Sequence, residues 1–317
     1  LIYDQGIRNA ILLVIAVVAF TLLTGAFHGV KTETWSIPVG NALFIATPCA
    51  DSVTINADAN LRGAVQIVAK AHDKAQIMQL ASHGGSAAFL SGVGSHCLGA
   101  SLCKEAEAVC AGQPDNPNLT LTLTVPAGLP INITEAQGTD YTIGDTNGPL
   151  TVSSTGTGDV SAGAITGLKA DLAGDGDLQI ARATGPIVAT LSKNGDLDIA
   201  NANAPATTLT LDGDGDVNIA AGNLGALNAT LSKAGDLRVP ASSSAALVLS
   251  ADGDVDLGPV SGQLTATLTG DGDLSVARVG GDANIRSTAN GDVTIPHVAG
   301  RLTQSNTGDG DFKINGS

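Results

Sequence analysis

The sequence predicts an all-β chain: a parallel β-solenoid (β-helix) of about nine Gly-Asp coils, each near 19 residues, preceded by a single N-terminal transmembrane helix. Three observations predict it. Gly-Asp followed by an apolar residue recurs as Gly158-Asp159-Val160, Gly176-Asp177-Leu178, Gly195-Asp196-Leu197, Gly215-Asp216-Val217 and Gly235-Asp236-Leu237, and then as Gly253-Asp254-Val255, Gly272-Asp273-Leu274, Gly291-Asp292-Val293 and Gly310-Asp311-Phe312. The copies lie 18, 19, 20, 20, 18, 19, 19 and 19 residues apart, a period at which each unit buries its apolar face only against its neighbours. The flanking residues alternate with period two, the mark of strands with one buried face. The composition, with 40 glycines, eight aromatic residues and one Met, leaves Ala, Val, Leu and Ile to fill a thin, layered core.

In chain order, Ala10–Phe27 (AILLVIAVVAFTLLTGAF) comes first. It carries no charge over eighteen residues, enough to span a hydrocarbon core. Thr24-Gly25-Ala26 offers a cleaved signal peptide as the alternative, but the apolar run is longer than an ordinary signal core, so an anchor is expected. Arg8 before the run and Lys31 after it give only a slight orientation bias. The expected organisation is 1–30 anchor, 31–112 leading and capping region with cysteines, and 113–317 solenoid.

Within the leading region, strands are expected around Leu43–Ile45, Val53–Ile55 and Ala64–Ala69. The Gly- and Ser-rich stretch Gly84–Ser95 reads as a loop, and CLGASLCKEAEAVC after it as a short helix. Cys49, Cys97, Cys103 and Cys110 make an even count with no CxxC spacing, which fits one or two disulfides in an oxidising compartment and leaves all three full pairings open. With no neighbouring His pair, a metal centre is the poorer reading. Leu119–Val125 (LTLTLTV) is an alternating strand, and Tyr141–Ile143 with Leu150–Val152 begins the coils.

Two strands per coil follow from the alternation. After the turn, pairs such as Leu197/Ile199 and Val217/Ile219 point inward. Before it, Ala189/Leu191, Leu209/Leu211, Ala229/Leu231, Leu247/Leu249 and Ala266/Leu268 point inward, with Thr190, Thr210, Thr230 and Thr267 outward. The Gly-Asp pair is the corner: Gly is expected to take φ > 0, and Asp to accept nearby backbone N–H groups in an Asx-type turn. In the last coil Phe312 replaces Leu or Val and is expected either to lid the core or to leave an end that abuts another protein.

The formal charge of −15 and pI near 4.4 exclude nucleic acid as a partner, because no cluster of Lys and Arg is present to meet phosphates. The acid sits in turns. Doubled acids make Asp175 with Asp177, Asp214 with Asp216, and Asp271 with Asp273 weak calcium candidates. Yet the residue before each Gly is often Asn, Thr or Ala, Lys193 and Lys233 lie close by, and calcium wants six or more oxygens, so a charge-managed structural turn is expected, with no cofactor.

From Ala50-Asp51-Ser52-Val53-Thr54-Ile55-Asn56-Ala57-Asp58-Ala59-Asn60-Leu61 and the Gly-Asp coils from Gly158 to Ile314, the chain over roughly residues 40–317 resembles the bacterial adhesin-like proteins with a head GIN domain. The resemblance implies a β-solenoid and carries no catalytic residues. The apolar helix and the stretch Ala81–Gly112 depart from the family pattern and suggest a specialised role.

The function expected is therefore that of a non-catalytic scaffold or accessory subunit of a membrane protein complex, acting through protein–protein contacts. Its rod would be about 40 Å long over eight coil rises. It would be a single-pass protein of the bacterial inner membrane, with residues 10–27 in the bilayer among other membrane proteins and the C-terminal domain in the periplasm. A cell-surface adhesin is the alternative, weakened because Tyr3, Trp35 and Tyr141 all lie off the repeated coils and cannot stack on sugars there. A polysaccharide-acting β-helix enzyme ranks third. It needs two acids in unlike environments, whereas the aspartates repeat, Arg182, Arg238, Arg278 and Arg286 are scattered, and His297 stands alone beside Pro296. Ice binding is set aside, since Thr208-Leu209-Thr210 and Thr265-Ala266-Thr267 are matched in other coils by Val188, Asn228, Val248 and Arg286.

Overall fold

The computed structural model describes residues 30–38, 40–46, 50–71, 89–91, 120–136 and 138–316. The expected membrane helix, all four cysteines and the expected 97–110 helix lie outside the described residues. Among the described residues, no helix is long and apolar enough to cross a membrane.

Among the described residues, twenty-six strands join in one continuous sheet that winds into a solenoid. Two long parallel ladders carry it. The first stacks Ser52–Asp58, Asp140–Ile143, Val160–Ile165, Leu178–Ala183 and then the three-residue strands from Leu197–Ile199 to Leu274–Val276, ending in Val293–Val298 and Phe312–Gly316. The second runs from Leu43–Ala46 through Ile131–Glu135, Pro149–Ser154, Gly167–Leu172 and Ile187–Leu191 to Leu302–Asn306. The alternation read from sequence holds in both. Leu197 and Ile199 are buried around an exposed Asp198, and Ala229 and Leu231 are buried around a half-buried Thr230.

The first coils arise from the leading segment itself. Ser52–Asp58 pairs in parallel with both Thr120–Pro126 and Asp140–Ile143, so the strands expected near residues 43 and 53 are rungs of the same stack. This end is closed by antiparallel strands: Ala64–Ala71 lies on Thr120–Pro126, Lys31–Pro38 on Ala64–Ala71, and Phe89–Ser91 on Leu43–Ala46. Phe89–Ser91 falls in the stretch expected to be loop. Its apolar pair is short, but edge pairing on Leu43–Ala46 satisfies its backbone and wins over the Gly and Ser around it.

A third inward row was not foreseen. In the middle coils the pre-turn strand extends backwards, as Ala202–Leu211, Gly222–Leu231 and Ala241–Leu249. Burial slips phase at Pro205 and Ala206, both exposed, so the strand bends there and presents a second inward set. The resulting row runs Ala204, Leu224, Ser242, Val260, Val279 and Val298, each paired with the next. With the inward pairs of the two ladders, this row closes the coil around a core of Leu, Val, Ile and Ala. At the far end Phe312 and Ile314 are only half-buried, so Phe312 packs on the core without lidding it fully.

Candidate interaction surface

The turn aspartates come first, because they recur in every Gly-Asp coil. Their carboxylates form one ladder. The N–H of Asp159 donates to Oδ1 of Asp140 at 3.0 Å, that of Asp177 to Asp159 at 2.9 Å, and that of Asp196 to Asp177 at 2.9 Å. The same bond, at 2.7 to 2.8 Å, links Asp216 to Asp196, Asp236 to Asp216, Asp254 to Asp236, Asp273 to Asp254, Asp292 to Asp273 and Asp311 to Asp292. The carbonyl of each turn aspartate meanwhile accepts the N–H of the aliphatic residue one coil earlier, as Asp236 does from Val217 at 2.9 Å. At this corner the backbone supplies no carbonyl for the aspartate N–H, and the carboxylate of the preceding coil takes its place. The bond expected inside one turn is therefore made between turns, 18 to 20 residues apart.

Glycine's role at the turn is likewise corrected. Among the described residues the positive-φ glycines are Gly63, Gly128 and Gly222, none of them in a Gly-Asp pair. The turn glycines stack on one another instead. A Cβ on Gly215 would be driven into the carbonyl oxygen of Gly195, and one on Gly235 into that of Gly215. Space, not dihedral freedom, fixes the residue.

For the calcium candidates, Oδ1 of Asp177, Asp216 and Asp273 is occupied by the next coil's N–H. In the column of residues before the glycines, Asn194 Nδ2 donates to Asp175 Oδ1 at 2.9 Å and the Asn290 N–H to Asp271 Oδ1 at 3.1 Å. At Asn194 a side-chain amide thus stands where a second carboxylate would face Asp175, while at residue 290 it is the backbone N–H that meets Asp271. Among the described residues no three His, Cys, Asp or Glu side chains converge to hold a metal ion. The ion pairs there are Arg238 with Asp256 at 3.4 Å, and Lys313 with Asp292 and Asp311 at 3.7 and 3.9 Å, so Lys193 and Lys233 contribute none. Burial, with the charges of Asp177, Asp216 and Asp198, pushes the Asp196 carboxyl above its ordinary range against the lowering effect of the Asp216 N–H.

Two outward surfaces remain. Along the first ladder, Ser161, Gln179, Asp198 and Asn218 stack beside the exposed Ala181, Ala200 and Ala220, and together they line a shallow groove of about 450 Å³. Small alanines at the corner make the concavity, and the Asn218 amide donates to Asp198 Oδ1 at 3.0 Å within it. Arg238, paired with Asp256, continues this polar row.

The second surface is the outer side of the second ladder. One outward row reads Thr190, Thr210, Thr230, Val248 and Thr267, and the row beside it Val188, Thr208, Asn228, Ala246 and Thr265. Neither holds a charge over five rungs. The plateau ends where Lys169 and Asp171 pair with Val188 and Thr190, and where Arg286 pairs with Thr267.

One buried polar cluster escaped the sequence reading. Glu135 is fully buried at an inward position whose next rungs are Ser154, Leu172 and Leu191. The Tyr141 hydroxyl donates to its Oε2 at 3.2 Å and the Thr139 N–H to Oε1 at 3.4 Å, while the Thr139 hydroxyl reaches the Ala50 carbonyl at 2.8 Å. Burial, then the Glu135 charge and hydrogen bond, hold the Tyr141 phenol well above its ordinary pKa. The signal was present: in Ile131-Asn132-Ile133-Thr134-Glu135 the Glu falls on the inward phase.

No family model and no curated protein matches the chain. Among solved structures it is similar to one from Parabacteroides distasonis described as a "Putative lipid binding protein", at 13% identity and a TM-score of 0.35, covering 90% of this chain and 97% of that one.

Proposed function

We propose that the protein is a non-catalytic rod, held at the bacterial inner membrane by residues 10–27 with its body in the periplasm, that serves as a scaffold or accessory subunit through protein contacts. The observation that carries this reading is the aspartate ladder. Nine carboxylates from Asp140 to Asp292 share one inter-coil role, which leaves them a structural edge and not a dedicated acid and base pair. The grooved side, with Gln179, Asp198, Asn218 and the Arg238–Asp256 pair, offers the directional polar groups that fix a protein partner's register. The same groove favours a second reading, a cell-surface adhesin, because amide and carboxylate groups at coil spacing suit sugar hydroxyls.

The test is recovery of the C-terminally tagged protein from native membranes in mild detergent, followed by identification of what accompanies it. A stoichiometric integral-membrane partner that is lost with Asn218→Lys supports the scaffold. A protein that emerges alone, and whose body binds a glycan array, transfers the groove to the adhesin reading.

A further inference from the structure

The plateau on the second ladder lies apart from the groove and calls for a different occupant. Its inner row sets four threonines and one valine on five successive rungs, each β-branched and stiff about χ1. The alternation in the sequence already aligns the four threonines, and the register adds Val248 on the rung between Thr230 and Thr267. In register, Val188 and Asn228 belong to one row, and Val248 and Arg286 to the other, where Arg286 lies just past the end of the plateau.

Three properties restrict what can cover this face. It is charge-free on a chain of net charge −15, so an ionic partner gains nothing from it. From rung and side-chain spacings its area is roughly 300 Å², well under the ~800 Å² per partner of a stable protein pair. It also lacks the Trp, Tyr and Arg that anchor such pairs, which argues against a second copy. What it does have is order: a threonine hydroxyl on four of the five rungs, with methyls beside them, on rungs ~4.8 Å apart. Val188 and Val248, 44% and 42% exposed, add methyls to the same plane.

A planar solid whose surface is a regular array of hydroxyl groups and which excludes ions complements all three properties. Crystalline polysaccharide would ask for aromatic rings, and none stands on the plateau. We infer that the plateau centred on Thr210 and Thr230 is an adsorption face for ice, with threonine hydroxyls bonding into the lattice and γ-methyls seated between water rows.

The test uses the full chain purified in mild detergent, with the detergent buffer as blank, and follows the growth of ice grains in a frozen film held just below melting. The wild-type chain should arrest grain growth. Thr210→Lys and Thr230→Lys, which place a charge on the face without touching the core, should lose at least roughly tenfold in potency. Ser275→Lys, an equal charge on the first ladder, should not. Grain growth matching the blank overturns the inference, as does full potency in Thr210→Lys or equal loss in Ser275→Lys. Retention on cellulose or chitin without any effect on ice overturns it too, and assigns the face to polysaccharide.

Discussion

The backbone N–H of Asp236 donates to Oδ1 of Asp216 at 2.8 Å, and the carbonyl of Asp236 accepts the N–H of Val217 at 2.9 Å. One carboxylate thereby extends the backbone ladder across a corner where backbone alone falls short. Asp216→Ala removes the acceptor and should cost about 1 kcal/mol, the ordinary net value of such a bond. Asp216→Asn keeps an oxygen in place and relieves like-charge repulsion of roughly 0.9 kcal/mol between neighbouring rungs in water, so it should be neutral or slightly stabilising. Denaturant unfolding of the two variants beside wild type checks the contrast, and equal losses in both would contradict it.

Gly215→Ala tests the stacking of turns. Its Cβ would meet the Gly195 carbonyl oxygen, and relief requires separating two coils, at a cost of about 3 kcal/mol or more. Gly63→Ala is the opposite case: φ is +66° and nothing lies within 4 Å of the added carbon. Only dihedral strain of about 1–2 kcal/mol is expected there. Unfolding midpoints should rank the two, with Gly215→Ala the lower.

Asp196 makes stability depend on pH in a definite direction. Its folded pKa is raised, so the native state holds its proton more tightly than the unfolded chain does. Stability is then greatest below the unfolded value and is lost as pH rises through the ordinary carboxylate range to the raised folded value. Asp196→Asn removes the penalty. It should melt above wild type at neutral pH and match it in acid; a constant difference across the range would speak against the buried-charge explanation.

Thr207 lies fully buried with an Oγ1 that makes no hydrogen bond. Its row neighbours in the ladder are Ile187 and Leu227, so a methyl suits the site better than a hydroxyl. Thr207→Val should raise stability by about 1 kcal/mol in chemical unfolding. A loss would mean that the hydroxyl has a partner in solution.

Tyr141→Phe deletes a donor to the buried Glu135 carboxylate. The cost should be about 1–3 kcal/mol. Glu135→Gln combined with Tyr141→Phe should cost less than the two single changes added together, since both act on one contact.

The repeat, the two strands per coil and their inward faces were legible because period two and a 19-residue spacing are written in the residues themselves, as in Leu209-Thr210-Leu211 before Gly215-Asp216-Val217. The reasons for Gly and Asp were not. Both residues act on a coil 18 to 20 positions away, as Asp236 on Asp216 and Gly235 on Gly215, and local turn chemistry explains neither. The third inward row was hidden for a related reason: the bend at Pro205 and Ala206 breaks the alternation that would have revealed Ala204 and Leu224. The outward threonines Thr190, Thr210, Thr230 and Thr267 were legible too, whereas the extent of the plateau required the register, which sets Val248 between Thr230 and Thr267 and Arg286 beyond Thr267.

The most direct test of the account is thermal unfolding of the full chain in a chelator and again in millimolar calcium, for wild type and for a variant with Asp177, Asp216 and Asp273 all changed to Asn. If the aspartates are inter-coil acceptors, wild type melts at the same temperature in both solutions and the asparagine variant melts at or above it. A calcium-dependent rise in the wild type that vanishes in the variant would contradict the account and make the ladder a file of cation sites.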